Sequence, residues 1–217
     1  MNKSEGFNQL NNFIKNKINA KRYSTGFTMI ELIVVISLIL VFSGVIISNF
    51  SSAKLQFSLS RVAYQLEQDL SKAQNMALSS VPYKDFLGVE HQVDGYGVYV
   101  NLTGLGNTKY IVYADKSPGN NKYDTSDYLI KQVDFSLNEP GIIIQNMFGV
   151  SGGNTTSVNF KSVDLSTSID NLLVGSNSVS FYISEASELF KTKTVSINTA
   201  GLIQVTNQFL FFSSGPL

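Results

Sequence analysis

From Phe27 to Ile47 the chain reads FTMIELIVVISLILVFSGVII, 21 residues whose only charge is Glu31. At 1.5 Å per residue this is roughly 30 Å of helix, enough to cross the hydrocarbon core of a bilayer. A run of this kind forces one choice on the chain: it enters a membrane or finds an equally apolar set of neighbours. The residues before it, 1–26, carry Lys3, Lys15, Lys17, Lys21 and Arg22 against Glu5 alone, and the next charge after Glu31 is Lys54. Basic residues on one flank only predict that the N-terminus stays in the cytoplasm and the C-terminus lies outside. A secretory signal has a shorter apolar run with a small-residue cleavage site beyond it. Here Ser51-Ser52-Ala53 leads into further helix pattern.

Beyond the span, Leu55, Leu59, Val62, Leu66, Leu70, Ala73 and Ala77 recur in steps of three and four, one stripe of a helix. Between Phe27 and Leu87 the only Gly is Gly44, and no Pro occurs before Pro82. One helix is therefore predicted from about Phe27 to about Ser79, on the order of 80 Å long, stopped at Ser79-Ser80-Val81-Pro82. After Pro82 the chain turns to short β-rich runs. Strands are predicted near Gly97–Asn101, Tyr110–Ala114, Leu129–Leu137, Ile142–Met147, Val158–Phe160, Val179–Ser184, Thr192–Asn198 and Leu202–Thr206. The last two flank Thr199-Ala200-Gly201, a hairpin turn. The helix stripe needs a partner, and the apolar face of this sheet supplies one.

Composition narrows the chemistry. With no Cys there is no disulfide, no thiolate nucleophile and no Cys-containing metal site, and His91 is the only imidazole. The 16 Lys and Arg balance 16 Asp and Glu, which argues against a broad basic face for nucleic acid. The balance is an average over unlike parts: without residues 1–26 the remaining 191 carry 11 basic against 15 acidic residues.

At the junction of leader and span stands Lys21-Arg22-Tyr23-Ser24-Thr25-Gly26-Phe27-Thr28-Met29-Ile30-Glu31-Leu32. It resembles the prepilin signal of type IV pilins and pseudopilins: a basic leader ending in Gly, then Phe, then Glu as fifth residue of the mature chain, then an unbroken apolar helix. The resemblance implies cleavage between Gly26 and Phe27 by a prepilin peptidase and methylation of the new Phe27 amine. A carboxylate within such a helix costs on the order of 2 to 3 kcal/mol unless compensated, so an intramembrane acid is read as functional. For Glu31 the resemblance implies pairing with the Phe27 amine of a neighbouring subunit, setting the stagger of filament assembly. The plain alternative is a carboxylate near a helix start, snorkelling to the interface and favoured by the helix dipole.

The exported part is most similar to the GspH/FimT minor pseudopilins. The similarity rests on the helix end Leu66–Ser79, on Val179-Ser180-Phe181-Tyr182-Ile183 and on the closing hairpin Thr194–Val205. Many pilins place a helix-breaking Pro after the span, where this chain has only Ser43-Gly44 and Ser48-Asn49 as weak points. It also lacks the C-terminal Cys pair that staples the terminal loop in some pilins.

Other candidates are weaker. The segment Asp115–Asp127 holds oxygen ligands at close spacing and could wrap calcium, but it lacks the EF-hand pattern and contains Lys116 and Lys122; the alternative is a polar surface turn. His91, beside Glu90 and near Asp94, reads as a surface-loop histidine, since no second His, Cys or Gly-x-Ser-x-Gly elbow accompanies it. Asp134, Glu139, Asp164, Asp170, Glu185 and Glu188 show no pairing that sequence establishes. The ten Tyr and fifteen Phe fit sheet packing and an interface surface.

The expectation is thus an α+β, pilin-like chain: a leader over 1–26, a membrane and filament-core helix over 27–50, its amphipathic continuation over 51–80, and an antiparallel β-rich head over 81–217. Expected partners are the prepilin peptidase, other pilin subunits, an inner-membrane assembly platform and the cytoplasmic membrane, with no cofactor, no metal and no enzymatic activity. The alternative is a single-span anchored binding module that does not polymerise.

Overall fold

The computed structural model describes residues 26–164, 166–187 and 191–209. The basic residues of the leader therefore lie outside the described residues, as does Glu188. By compactness the chain divides into two units, Met1–Phe50 and Ser51–Leu217.

One helix, α1 (Met29–Leu78), contains 50 residues and includes Ser43-Gly44 and Ser48-Asn49 within its span. Its stretch Met29–Ile47 is long and apolar enough to cross a membrane, with a mean hydropathy of 2.9. Apolar side chains there, from Met29 through Ile47, stand exposed on all sides of the helix.

The helix ends two residues before Pro82 begins to exclude helical geometry. The Ser80 N–H bonds to the Ala77 carbonyl at 3.0 Å and the Val81 N–H to the Met76 carbonyl at 3.2 Å, the paired bonds of a Schellman cap. Ser80 takes the left-handed conformation (φ 46°) that such caps usually give to glycine.

In the second unit eleven strands follow among the described residues: β1 (Tyr83–Lys84), β2 (Glu90–His91), β3 (Val93–Asn101), β4 (Lys109–Lys116), β5 (Tyr128–Asp134), β6 (Ile142–Phe148), β7 (Thr155–Lys161), β8 (Thr167–Ile169), β9 (Ser178–Glu185), β10 (Lys191–Asn198) and β11 (Ile203–Phe209). Five form one sheet in the order β5-β4-β3-β7-β8, four another in the order β11-β10-β9-β6, and β1 pairs with β2. All described pairings are antiparallel. The eight predicted strands are present with shifted ends. The run predicted to Leu137 stops at Asp134, because the Asp134 carboxylate accepts the Ser136 N–H and starts a 3-10 turn over Phe135–Leu137.

Alternation along the strands sends one set of residues inward. Val98 and Val100, Tyr110 and Val112, and Val158 and Phe160 face the core from the larger sheet; Ile142 and Ile144, Phe181 and Ile183, and Val195 and Ile197 do so from the smaller one. The same cluster contains Leu59, Val62, Ala63, Leu66, Leu70, Ala73 and Ala77 of α1. The stripe on the second half of the helix is thus part of the core of its own unit.

Polar ties fix that half at three heights. Arg61 pairs with the buried carboxylate of Glu139. Asp69, also buried, accepts from the Tyr110 hydroxyl at 2.7 Å and from Lys131 Nζ at 2.6 Å. Gln74 donates to the Gly201 carbonyl at 3.0 Å. Gly201 (φ +79°) closes the β10–β11 hairpin, where a side chain would be strained and a Cβ would meet the Gln74 amide at 2.7 Å.

Candidate functional site

Gly26, Phe27 and Thr28 lie immediately before α1 in irregular backbone. Gly26 has open space around the position a Cβ would occupy, and Phe27 is 81% exposed. Thr28 organises the helix start: its carbonyl accepts the first helical bond from the Leu32 N–H and its hydroxyl accepts the Glu31 N–H, each at 3.2 Å. Thr28 is the N-cap, a role unassigned from sequence although Thr28-x-x-Glu31 is the spacing of a capping box.

Glu31 occupies the third helical position and is exposed. As the acid of the first turn it sits where the helix macrodipole favours negative charge. It also interrupts an otherwise uncharged apolar surface. The two readings of Glu31 thus share one geometry: an exposed carboxylate in the first turn of the helix.

The Asp115–Asp127 segment folds over the outer face of the larger sheet. Tyr123 packs at a tilt against Tyr99 (4.6 Å between ring centres) and meets Tyr113 edge-on at 5.3 Å, while its N–H donates to Ser157 Oγ at 3.0 Å. Gly97 permits the underlying packing: a Cβ there would meet the Val158 carbonyl at 2.4 Å and the Tyr113 ring at 2.8 Å.

Asp115, only 1% exposed, accepts the Asn121 N–H and the Asn159 amide, each at 2.9 Å. Asp127 accepts from the Lys116 and Asp124 N–H groups, Asp124 from Ser126 and Asn120, and Asp94 from the Gly119 N–H. Burial raises the Asp115 and Asp127 carboxyls above the ordinary 3.8, whereas the Ser126 hydroxyl bond lowers Asp124. These carboxylates serve as acceptors that shape the loop. Among the described residues, no three acidic or imidazole groups gather in a way that could hold a metal ion.

His91 lies in β2, partly buried, and not in a loop as expected. Its Nε2 is 3.0 Å from Asp85 Oδ2, and its ring lies 4.9 Å from Tyr128, which stacks on Tyr83 at 4.5 Å. The hydrogen bond from His91 is the main reason Asp85 is held below the ordinary carboxylate value, helped by the Val89 N–H. The pair braces a hairpin. Glu90 pairs with Lys84, Asp134 with Lys109 and Glu139 with Arg61, so these acids are spread over separate structural contacts.

Residues 21–47 match the family described as the prokaryotic N-terminal methylation motif. The chain carries a prepilin-type N-terminal segment. The matched residues contain Gly26, Phe27, the Thr28 cap, Glu31 and the apolar first part of α1, and they support a type IV pilin-like superfamily. They are consistent with membrane anchoring by that helix. No curated protein and no solved structure matches the chain.

Proposed function

We propose that the chain is the precursor of a non-enzymatic structural subunit, a minor pilin or pseudopilin of the GspH/FimT type. It serves a type IV pilus, or the pseudopilus of a type II secretion or DNA-uptake machine. The observation that carries this reading is the matched N-terminal segment, in which the Gly26–Phe27 bond precedes a capped apolar helical stretch, Met29–Ile47, with Glu31 as its only charge.

In this reading a prepilin peptidase removes residues 1–26 and methylates the Phe27 amine. The leader holds the N-terminus in the cytoplasm by its basic residues, and the head faces outward. Assembly withdraws α1 from lipid and packs it against the helices of other subunits on an inner-membrane platform. Apolar burial stabilises the filament core, while Glu31 pairs with the Phe27 amine of a neighbour and sets the axial step. Loss of the leader leaves an acidic subunit, so any nucleic-acid contact would depend on a local patch.

Mass spectrometry of the protein from its native membrane tests this directly. The expected mature form begins at N-methyl-Phe27, and a mature chain that begins elsewhere overturns the proposal. Glu31→Ala is expected to be processed normally and to be lost from isolated filaments; wild-type incorporation would remove the assembly role from Glu31.

A further inference from the structure

The β1–β2 hairpin, between the end of α1 and the larger sheet, carries an apolar tip. Phe86 is 94% exposed, Leu87 72% and Val89 51%, so three apolar side chains close in sequence stand in water. Single surface apolar residues are ordinary, whereas adjoining ones mark a contact site. The tip is also firmly built. The Asp85 N–H donates to the Val89 carbonyl and the Gly88 N–H to the Asp85 carbonyl, each at 3.0 Å. Asp85 Oδ1 accepts the Leu87 and Val89 N–H groups at 2.9 Å each, while its Oδ2 lies 3.0 Å from His91 Nε2. Gly88 supplies the left-handed residue of the turn (φ +81°). Phe86 and Leu87 are thus held outward on an ordered backbone, and a partner that covers them has little ordering left to impose.

Charge selects the partner. In the hairpin register Tyr83 faces His91 and Lys84 faces Glu90. Tyr83 and His91 turn toward Tyr128, so by alternation Lys84 and Glu90 stand on the opposite, outer face. They pair there at 3.0 Å, and both are exposed. The third charged group of the hairpin, Asp85, is engaged by the turn itself. An anionic bilayer selects clusters of Lys and Arg, which this face lacks. A face with one cation and one anion side by side is instead complementary to itself. A twofold axis parallel to the strands sets each Lys84 against the other copy's Glu90, both ways at once, and brings the two apolar tips together.

We propose that the β1–β2 hairpin is a self-association surface, its apolar tip covered by the same hairpin of a second copy of this chain. A single hairpin offers less than the roughly 800 Å² per partner of a stable interface, so the contact is weak and forms where copies are held close together. The inference concerns the head alone and stands apart from the reading of the N-terminal segment.

Cross-linking of the detergent-solubilised full chain provides the test, since the chain has no cysteine of its own. Under a mild oxidant, Phe86→Cys should form a disulfide-linked dimer about tenfold faster than Val174→Cys, because a contact raises the effective concentration of the two thiols; Val174 is 105% exposed and lies outside the hairpin. Adding Lys84→Glu or Glu90→Lys to Phe86→Cys should lower the rate to that of Val174→Cys. Mixing those two doubly substituted chains should restore it, with the mixed dimer as the main product. This rescue separates a contact between copies from the internal Lys84–Glu90 pair, which stays broken in both chains. Equal rates for Phe86→Cys and Val174→Cys overturn the proposal, as does a rate indifferent to charge reversal. Quenching of a fluorophore on Phe86→Cys in vesicles of brominated phosphatidylcholine would assign the tip to a bilayer and overturn it as well.

Discussion

From Met29 to Ile47, α1 carries apolar side chains on every side and leaves them exposed, whereas from Leu59 to Ala77 the same helix buries a stripe of them in the core of the head. The first half has one charged residue, Glu31; the second has Lys54, Arg61, Glu67, Asp69 and Lys72. A helix that is apolar all round can satisfy itself only in lipid or among several other helices, while a stripe is satisfied by one sheet face. The two halves therefore depend on different partners. Head folding rests on the second half, and the proposed membrane anchoring and assembly on the first.

The largest test of that contrast is a pair of truncations. Leu66→Ala, at a side chain 1% exposed, should cost about 2–5 kcal/mol of head stability. Leu38→Ala, at a half-exposed position of the first half, should leave the head within about 0.5 kcal/mol of wild type. Urea unfolding of the detergent-solubilised protein, followed by near-ultraviolet circular dichroism of the tyrosines, separates them. Equal losses would break the division between the halves.

The two buried or isolated acids sharpen it. Asp69→Ala strands the Tyr110 hydroxyl in the core and removes the partner of Lys131, so the head should lose about 2 kcal/mol. Asp69→Asn, which keeps an acceptor, should recover part of this. Glu31→Ala should leave the same unfolding curve unchanged, since no core contact depends on its side chain.

At the helix ends smaller effects of opposite sign are expected. Thr28→Ala removes the cap at the start and should cost about 1 kcal/mol of local stability, read as faster amide exchange over residues 29–32. Ser80→Gly relieves a left-handed non-glycine residue at the other end and should raise head stability by about 0.5–1 kcal/mol.

The smallest effect is a pH dependence confined to the head. Burial raises Asp115 above 3.8, so the native state takes up its proton before the unfolded chain does, and stability rises as pH falls through the folded value toward 3.8. Asp134 is lowered, chiefly by the Ser136 hydroxyl and then by Lys109; its contribution is present above 3.8 and is lost as pH falls through its folded value. Asp127, raised by burial as well, acts in the same direction, so a shallow stability maximum on the acid side, reduced in Asp115→Asn and absent when Asp127→Asn is added, is the expected result in urea titrations at stepped pH.

Much of this organisation is legible in local pattern. The apolar run and the steps of three and four from Leu55 to Ala77 mark the helix, and alternating residues such as Val179, Phe181 and Ile183 mark strands, because burial on one face imposes a period. The N-terminal motif around Gly26, Phe27 and Glu31 stands out because a rare combination of residue types stands in a fixed order. The Thr28 cap was also present in the spacing to Glu31 but is masked by the stronger signal around it. Strands of two or three residues, such as β1, β2 and β8, leave too few residues for a period to show. His91 illustrates the consequence: its neighbours in sequence suggested a loop, while its strand position is decided by Asp85, Tyr128 and Tyr83.

The loop over the larger sheet shows the same limit for acids. The composition of Asp115–Asp127 suggested either a cation site or a polar turn, and the difference lies in where each carboxylate finds its partners. Asp115 accepts from Asn159, 44 residues away, and Asp94 from Gly119, 25 residues away. No local spacing encodes such partners.

By itself the sequence determined the membrane-capable helix, its basic-flanked start at Gly26-Phe27, the stripe on its continuation and the strand-rich character of the head, since each follows from the periodicity or charge of neighbouring residues. Only the tertiary structure decided that Asp69 joins Tyr110 and Lys131, that Arg61 meets Glu139, and that Asp115 accepts from Asn159 and Asp94 from Gly119. Those outcomes depend on long-range strand register, which brings together groups whose separation along the chain carries no signal.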